Sequence, residues 1–391
     1  MELIYKDKKS EAEIFQFKPD CSLPSNLLKN NLLIYGNNYE ALLLMLDNSR
    51  YKKKIDLIYI DPPFATNGVF TIGQDRTSTI SGSKTDTVAY SDLLTGEKYL
   101  EFLRERLIVA RELLSEQGSI YVHIDYKIGH YVKIIMDEIF GEKNFRNDIT
   151  RIKCNPKNFS RKAYGNIKDL ILFYSKSKSP IWNEPLVKYS EGDIEKLYKK
   201  RDEKGRAYTT VPLHAPGETV TGETGSMFKG QLPPKGRHWR CAPRELEKLD
   251  EAGLIEWSKN GVPRRKIFAD EKKGKKMQDI WDFKDYQFPS YPTEKNLDLL
   301  QHIIKTSSNP QSTILDFFCG SGTTLVAAEL LGRKWIGIDK SKEAIKVTQK
   351  KLFDMKFDLF SLAEYDYVEL TKHNKATEKK YIPYVVGYQI L

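Results

Sequence analysis

Cysteine is scarce in this chain and isolated where it occurs. Cys21, Cys154, Cys241 and Cys319 form no C-x-x-C pair and have no histidine at metal-ligand spacing. That excludes a zinc finger or ribbon and a disulfide framework, so no metal site is expected. The four read as free thiols of a reducing cytoplasm. Long apolar runs are missing too: the richest, Ala41 to Leu46, falls far short of the roughly 20 residues a membrane span needs. The opening MELIYKDKKSEAEIF has no apolar h-region, so a secretory signal is not expected. No G-x-x-x-x-G-K-[ST] occurs, which leaves a P-loop nucleotidase unsupported. Internal repeats and low-complexity segments are likewise absent. The expected protein is cytoplasmic, with no membrane partner.

What is present is a chain of 391 residues, long enough for a substantial core, with 40% hydrophobic and 30% charged residues. Lys plus Arg number 63 against 53 Asp plus Glu, a formal charge of +10. A surplus of that size points to a polyanionic partner, or to an ordinary basic surface, and says nothing about fold.

Two regions alternate short apolar runs with amphipathic stretches. In the first, LLIY (Leu32 to Tyr35) and IDLIYI (Ile55 to Ile60) look like strands buried on both faces of a parallel sheet. A Gly/Ser/Thr-rich loop spans Ser78 to Thr87. EKYLEFLRERLIVARELLSEQG then predicts a helix closed by its glycine, SIYVHID (Ser119 to Asp125) a strand, and YVKIIMDEIFG another helix. FRNDITRI and DLILFYSKS suit the arms of a β-ribbon. From about Thr293 the grammar returns: NLDLLQHIIKTSS helical, TILDFF a strand, TTLVAAELLG a helix ended by Gly332, WIGID a strand, KEAIKVTQKKLFD a helix. Such alternation predicts an open, mostly parallel sheet with helices on both faces. The tail after about Tyr365 carries no readable pattern. In between, roughly Pro180 to Pro292, periodicity fades and basic clusters recur at Arg264-Arg265-Lys266 and Lys272 to Lys276. Tyr90, Trp239, Trp257 and Trp281 are either base-stacking platforms or packing residues. The isolated histidines, His123 among them, read as structural.

Two motifs carry chemistry. Asp316-Phe317-Phe318-Cys319-Gly320-Ser321-Gly322-Thr323-Thr324 follows a strand and opens a helix, where glycines allow a tight turn and close ligand approach. The next strand ends in Asp339, seventeen positions after Gly322, where a carboxylate accepts from ribose hydroxyls. Lacking the third glycine of G-x-G-x-x-G, the loop favours an adenosine-containing ligand other than a dinucleotide. The second motif, Asp61-Pro62-Pro63-Phe64, sits directly after IDLIYI. Its prolines stiffen the rim at a strand's carboxyl end. The Asp61 carboxylate and Pro62 carbonyl would accept the hydrogens of an amine, and Phe64 presents a face for stacking.

DPPF together with DFFCGSGTT resembles the paired signature motifs of the amino-methylating DNA methyltransferases. The order, catalytic motif first and cofactor motif last, resembles the β class of N6-adenine enzymes, including type III restriction-modification Mod subunits. GSIYVHID, NFRNDI, ILFYSKS and YPTEKNLDLLQHII resemble further segments of that family. The resemblance implies a Rossmann-like, doubly wound, mostly parallel α/β sheet in circularly permuted order, carrying an irregular α+β target-recognition insert. It implies S-adenosyl-L-methionine as cofactor. Asp316, Phe318, Gly320, Gly322 and Thr323 would line it, Asp339 would hold its ribose, and Thr293 and Lys295 would approach its carboxylate. Asp61, Pro62, Pro63 and Phe64 would be catalytic. Double-stranded DNA is the implied partner, with a homodimer and a restriction subunit as further partners. The chain departs from the family pattern at Asn296, where proline is common, at Asn37, where aspartate is common, and at Phe64, where tyrosine is commoner.

The division that follows is a catalytic half at 1–179, a target-recognition insert at 180–290 and a cofactor half at 291–391. The expected reaction is methyl transfer to adenine N6 in DNA. Transfer to cytosine N4, a non-catalytic DNA-binding subunit and, less favoured, a nicotinamide oxidoreductase are the alternatives.

Overall fold

Short Ile- and Leu-rich runs without polar alternation become strands covered on both faces, because a parallel strand between two helix layers has no wet side. The computed structural model describes residues 2–24, 27, 31–63, 69–72, 77–78, 87–91, 96–156, 160, 162–219, 221–287, 289, 294–359, 365–370 and 377–379. Phe64, Thr293, the Tyr90 side chain and most of the Ser78–Thr87 loop lie outside the described residues. The chain divides into two compact units, Met1–Glu184 with Gln278–Leu391, and Pro185–Met277.

In the first unit the helices are α1 (Glu11–Gln16), α2 (Asn38–Leu46), α3 (Gly96–Leu113), α4 (Gly129–Phe140), α5 (Leu297–Ser307), α6 (Thr323–Leu330) and α7 (Lys342–Leu359). The strands are β1 (Asn31–Tyr35), β2 (Ile55–Ile60), β3 (Leu114–Ile124), β4 (Phe145–Ile152) and β5 (Lys168–Ser175). Then come β6 (Ile280–Asp282), β7 (Thr313–Asp316), β8 (Lys334–Asp339), β9 (Tyr365–Glu369) and β10 (Thr377–Lys379). These ten strands form one sheet in the order β6-β4-β5-β3-β2-β7-β8-β1-β9-β10, while Val69–Ile72, Thr77–Ser78 and Thr87–Ser91 form a separate three-stranded sheet. Only β5 and β10 run against the rest. The strands that come late in the chain, β7 and β8, lie between the early β2 and β1. That is the permuted order: both ligand motifs leave neighbouring strands at the same carboxyl edge. Helices α2, α3 and α4 pack as one group, and α5, α6 and α7 as another.

The fold is the Rossmann-like, mostly parallel α/β sheet that the alternation and the resemblance imply. Three local readings change. Helix α3 stops at Leu113 instead of running to Gly118. There Leu114 enters register with Ile55 of β2 and Ser115 donates to Asp56 Oδ1 at 2.9 Å, so sheet pairing takes over before the glycine. The tail has structure after all: β9 lies parallel to β1, pairing Tyr367 with Leu33. And Ile280–Asp282, placed with the insert by sequence, joins the large sheet beside β4.

The second unit is α+β with its own small core. Lys200–Arg201, Ala207–Pro212, Pro263–Phe268 and Ile255–Trp257 form a four-stranded sheet. A ribbon pairs His214–Pro216 with Arg237–Trp239. Leu213, Phe228, Trp239, Leu246 and Ile255 pack beneath.

Candidate active site

Strand β2 ends in Ile60, and Asp61-Pro62-Pro63 follow at the carboxyl edge beside β7. Pro62 is buried, and neither proline has an N–H to leave unsatisfied there. Asp61 is held on one side only. Its Oδ2 meets Lys295 Nζ at 2.5 Å, while Oδ1 is buried and accepts no hydrogen bond among the described residues. Leaving such an oxygen unpaired costs on the order of 1–3 kcal/mol, so this acceptor is open to a donor from outside the described residues.

The loop after β7 is organised by its first residue. Asp316 is buried, and its two oxygens accept from Phe318 N at 3.0 Å and Thr324 Oγ1 at 2.6 Å. Burial pushes its carboxyl up to about 7; those two hydrogen bonds pull the other way, and the nearby Asp61 and Asp339 charges add to the rise. The two glycines differ. Gly320 (φ +49) has open space where a side chain would stand, whereas a Cβ on Gly322 (φ +76) would lie 2.6 Å from Thr348 of α7. Gly320 is therefore the residue that leaves room for a ligand, and Gly322 lets the loop close on α7. Thr323 opens α6 and is buried.

Asp339, at the end of β8, braces the same loop. It accepts from Gly320 N at 2.9 Å and Ser341 N at 2.8 Å, and from the Lys340 N–H as well. Burial pushes its carboxyl above the ordinary value against the pull of those bonds.

Sequence reasoning missed two buried groups beneath the site. Arg106 on α3 donates through Nε to Asn38 Oδ1 at 2.6 Å, and Asn38 Nδ2 donates to the Phe317 carbonyl at 2.7 Å. Its guanidinium also lies 3.6 Å over the Phe102 ring, which packs on Phe318. One buried cation thus braces both phenylalanines of the loop. The signal was an arginine on the apolar face of a helix, in step with Leu103 and Leu107. The second group is a polar row across β2, β3 and β5. Tyr59 hydroxyl meets His123 Nδ1 at 2.8 Å, His123 Nε2 meets Asp169 at 3.2 Å, and Lys153 pairs with Asp169 at 2.7 Å. Burial alone would raise the Asp169 carboxyl, but His123, Lys295 and Lys153 hold it below the usual carboxylate range. Burial holds the His123 imidazole below its ordinary value, so His123 is a satisfied interior residue. A lone charge in the apolar run DLILF was the available signal.

Other expected positions are accounted for locally. Asn37 caps α2 by accepting from Tyr39 N at 3.0 Å, and Asn296 caps α5 by accepting from Leu299 N at 3.2 Å. An N-cap needs a side-chain acceptor, which proline lacks, and that explains the departure at Asn296. Trp239 and Trp281 are buried packing residues, and Trp257 stacks on Phe228 at 5.7 Å. The four cysteines are free thiols. Among the described residues there is no metal-ligating cluster and no helix long and apolar enough to cross a membrane.

A doubly wound sheet with a glycine loop, an acidic strand end and an unsatisfied carboxylate at one edge is the arrangement of a nucleoside-cofactor enzyme. Residues 55–350 match the N6/N4 DNA methylase family model, and the chain belongs to that family of DNA methyltransferases. Among curated proteins it is 42% identical over 378 residues to the type II methyltransferase M.EcaI of Enterobacter cloacae, covering 95% of this chain and 78% of that protein. It is 29% identical to the Mod subunit of the type III restriction-modification enzyme StyLTI of Salmonella typhimurium, over 84% of this chain and 55% of that protein. The chain thus spans about half the length of that Mod subunit. A looser likeness is to the crystal structure of the M1.HpyAVI–SAM complex, with a TM-score of 0.44 at 18% identity, covering 82% of this chain and 99% of that one.

S-adenosylmethionine is the cofactor of this family. The residues present fit it: a Cβ on Gly320 would meet only the Phe318 carbonyl oxygen, at 3.9 Å, and a carboxylate, Asp339, stands at the end of the next strand.

Proposed function

We propose that this chain methylates the exocyclic N6 of adenine at a specific sequence in double-stranded DNA, as the modification enzyme of a restriction-modification system. The observation that carries the reading is the buried, unpartnered Oδ1 of Asp61, one strand away from the cofactor loop. An exocyclic amine is a poor nucleophile while its lone pair is drawn into the ring. Asp61 Oδ1 would accept a hydrogen bond from one N–H and the Pro62 carbonyl from the other, which turns the lone pair outward; the single proton that the nitrogen sheds on methylation would leave by way of the Asp61 carboxylate, and the other N–H is kept in the product. Phe64 stacks on the base, which must first leave the helix. Lys295 holds the second oxygen of Asp61, so that the carboxylate keeps one orientation.

S-adenosylmethionine, when bound, supplies a methyl group already activated on a sulfonium, so the protein needs no covalent intermediate of its own. Asp339 would accept from the ribose, and Asp316, Phe318, Gly320, Gly322 and Thr323 would form the wall of the methionine part. Thr293 and Lys295 would face its carboxylate. The residues therefore position and orient the reactants, and proximity provides most of the acceleration. Residues 180–290 would read flanking bases. A homodimer and a restriction subunit are the partners this reading supplies, and the names of the type II and type III relatives support the context.

Adenine is favoured over cytosine by aspartate at position 61, through the family resemblance. Mass spectrometry of nucleosides from cells expressing the chain, beside an Asp61→Ala control, tests both steps. N6-methyladenine in the first sample and none in the control is the expected result. N4-methylcytosine in its place overturns the base, and no methylated nucleoside at all overturns the transfer. Asp61→Ala should retain cofactor affinity by calorimetry, since Asp61 serves the amine.

A further inference from the structure

Positive charge is concentrated in the second unit. Pro185–Met277 holds 21 Lys and Arg against 14 Asp and Glu, a net of +7 out of the chain's +10. Several of its cations are neutralised within the unit: Lys200 with Glu256, Arg206 with Asp202, Lys229 with Asp250, Lys275 with Asp193. Arg237, Arg240 and Arg264 are different. Among the described residues no carboxylate lies within ion-pair distance of any of them; Glu218, on the same ribbon, accepts from Gly236 N instead.

These three arginines are nonetheless ordered, each by a hydrogen bond to the same short stretch of chain. Arg264 donates to Thr210 through Nε at 2.9 Å and Nη2 at 2.7 Å. Arg240 donates to the Pro212 carbonyl at 3.1 Å, and Arg237 Nη1 meets His214 Nδ1 at 3.2 Å. The tethers fall on residues 210, 212 and 214: the first two lie in the strand Ala207–Pro212 and the third in the strand His214–Pro216, past a bend at Leu213. Trp239, between two of the arginines in sequence, is buried in the small core and donates to Ser226 O, which fixes the ribbon that carries them. His214 lies where the charges meet: burial first, then Arg237, Arg240 and Arg264, hold its imidazole below the ordinary value.

We propose that Arg237, Arg240 and Arg264 form a phosphate-binding row by which this unit grips the backbone of duplex DNA. The inference rests on the DNA methyltransferase reading and adds to it the residues that hold the substrate. A guanidinium has five N–H donors and spends one or two on its tether, so each arginine keeps donors for a phosphate oxygen. Tethering in advance also reduces the side-chain entropy lost on binding. Contacts of this kind set register and orientation and carry no sequence information.

The test is the salt dependence of binding to a mixed-sequence DNA duplex, by fluorescence anisotropy. Wild type is compared with the R237A/R240A/R264A triple variant and with the corresponding triple lysine variant. The slope of log K against log salt should become shallower by roughly 0.9 for each phosphate contact removed. Lysine should restore most of the slope, since it keeps the charge while losing the tethers. Near-UV circular dichroism of the alanine variant, which reports the packing of Trp239 in the core of this unit, should equal wild type and serves as the folding control. If wild type methylates DNA and the alanine variant keeps its slope and affinity, the row is refuted and the enzymatic reading stands. If wild type methylates no DNA but the alanine variant loses slope, the row stands and the enzymatic reading falls. A duplex RNA bound more tightly than the DNA overturns the assignment of the partner.

Discussion

Asp316→Asn should remove a pH-dependent penalty from the fold. Asp316 is buried at the end of β7, and burial pushes its carboxyl up to about 7 from an ordinary 3.8. A raised native value means that the folded protein holds this proton more tightly than the unfolded chain. The associated stability is full below about pH 4 and is lost as the pH rises through about 7. Three units correspond to about 4 kcal/mol in total, of which roughly 2–3 kcal/mol should be lost between about pH 5 and about pH 8. Asparagine of the same shape keeps an acceptor for Phe318 N and cannot ionise. Denaturant unfolding of the two proteins at several pH values should give curves that diverge upward through that window, with the variant gaining on wild type. Parallel curves would refute the reasoning. They would mean that the Phe318 N–H and the Thr324 hydroxyl stabilise the anion enough to cancel its burial.

Lys295→Met should slow methyl transfer roughly tenfold to hundredfold, the worth of a charge-assisted hydrogen bond, while DNA affinity stays unchanged; single-turnover assays at saturating cofactor and DNA would read it. Gly322→Ala should destabilise the first unit by about 1–3 kcal/mol, because φ is +76 and the new Cβ would meet Thr348 at 2.6 Å. Gly320→Ala serves as the comparison in thermal melts: its space is open, so an equal loss from both would count against the packing argument. Asp339→Ala should weaken cofactor binding at least tenfold by calorimetry, since it removes the carboxylate that also holds Gly320 N. Unchanged affinity would sink that assignment.

Much of the site was legible because its chemistry is local. A Gly-x-Gly loop between a strand and a helix, and an aspartate with two prolines after a buried run, have meaning at the spacing of a few residues. Neighbourhood was not legible. That Lys295, which the resemblance directs toward a cofactor carboxylate, sits on Asp61 depends on a contact across 234 positions of chain. That Gly322 also answers to Thr348 is a matter of how α7 lies on the loop.

By itself, the sequence determined the class of sheet, the order of its motifs and the residue types at its carboxyl edge. Periodicity is a property of neighbouring residues, and burial on both faces is written into Ile55 to Ile60 and Thr313 to Asp316 directly. Tertiary structure alone decided which oxygen of Asp61 is satisfied and which is not, and that Arg106 braces Phe317 and Phe318 from beneath. It also decided that three arginines from two separate segments are tethered to one short stretch, Thr210 to His214. Those are questions of which atoms meet, and only packing brings residues distant in the chain within hydrogen-bonding distance.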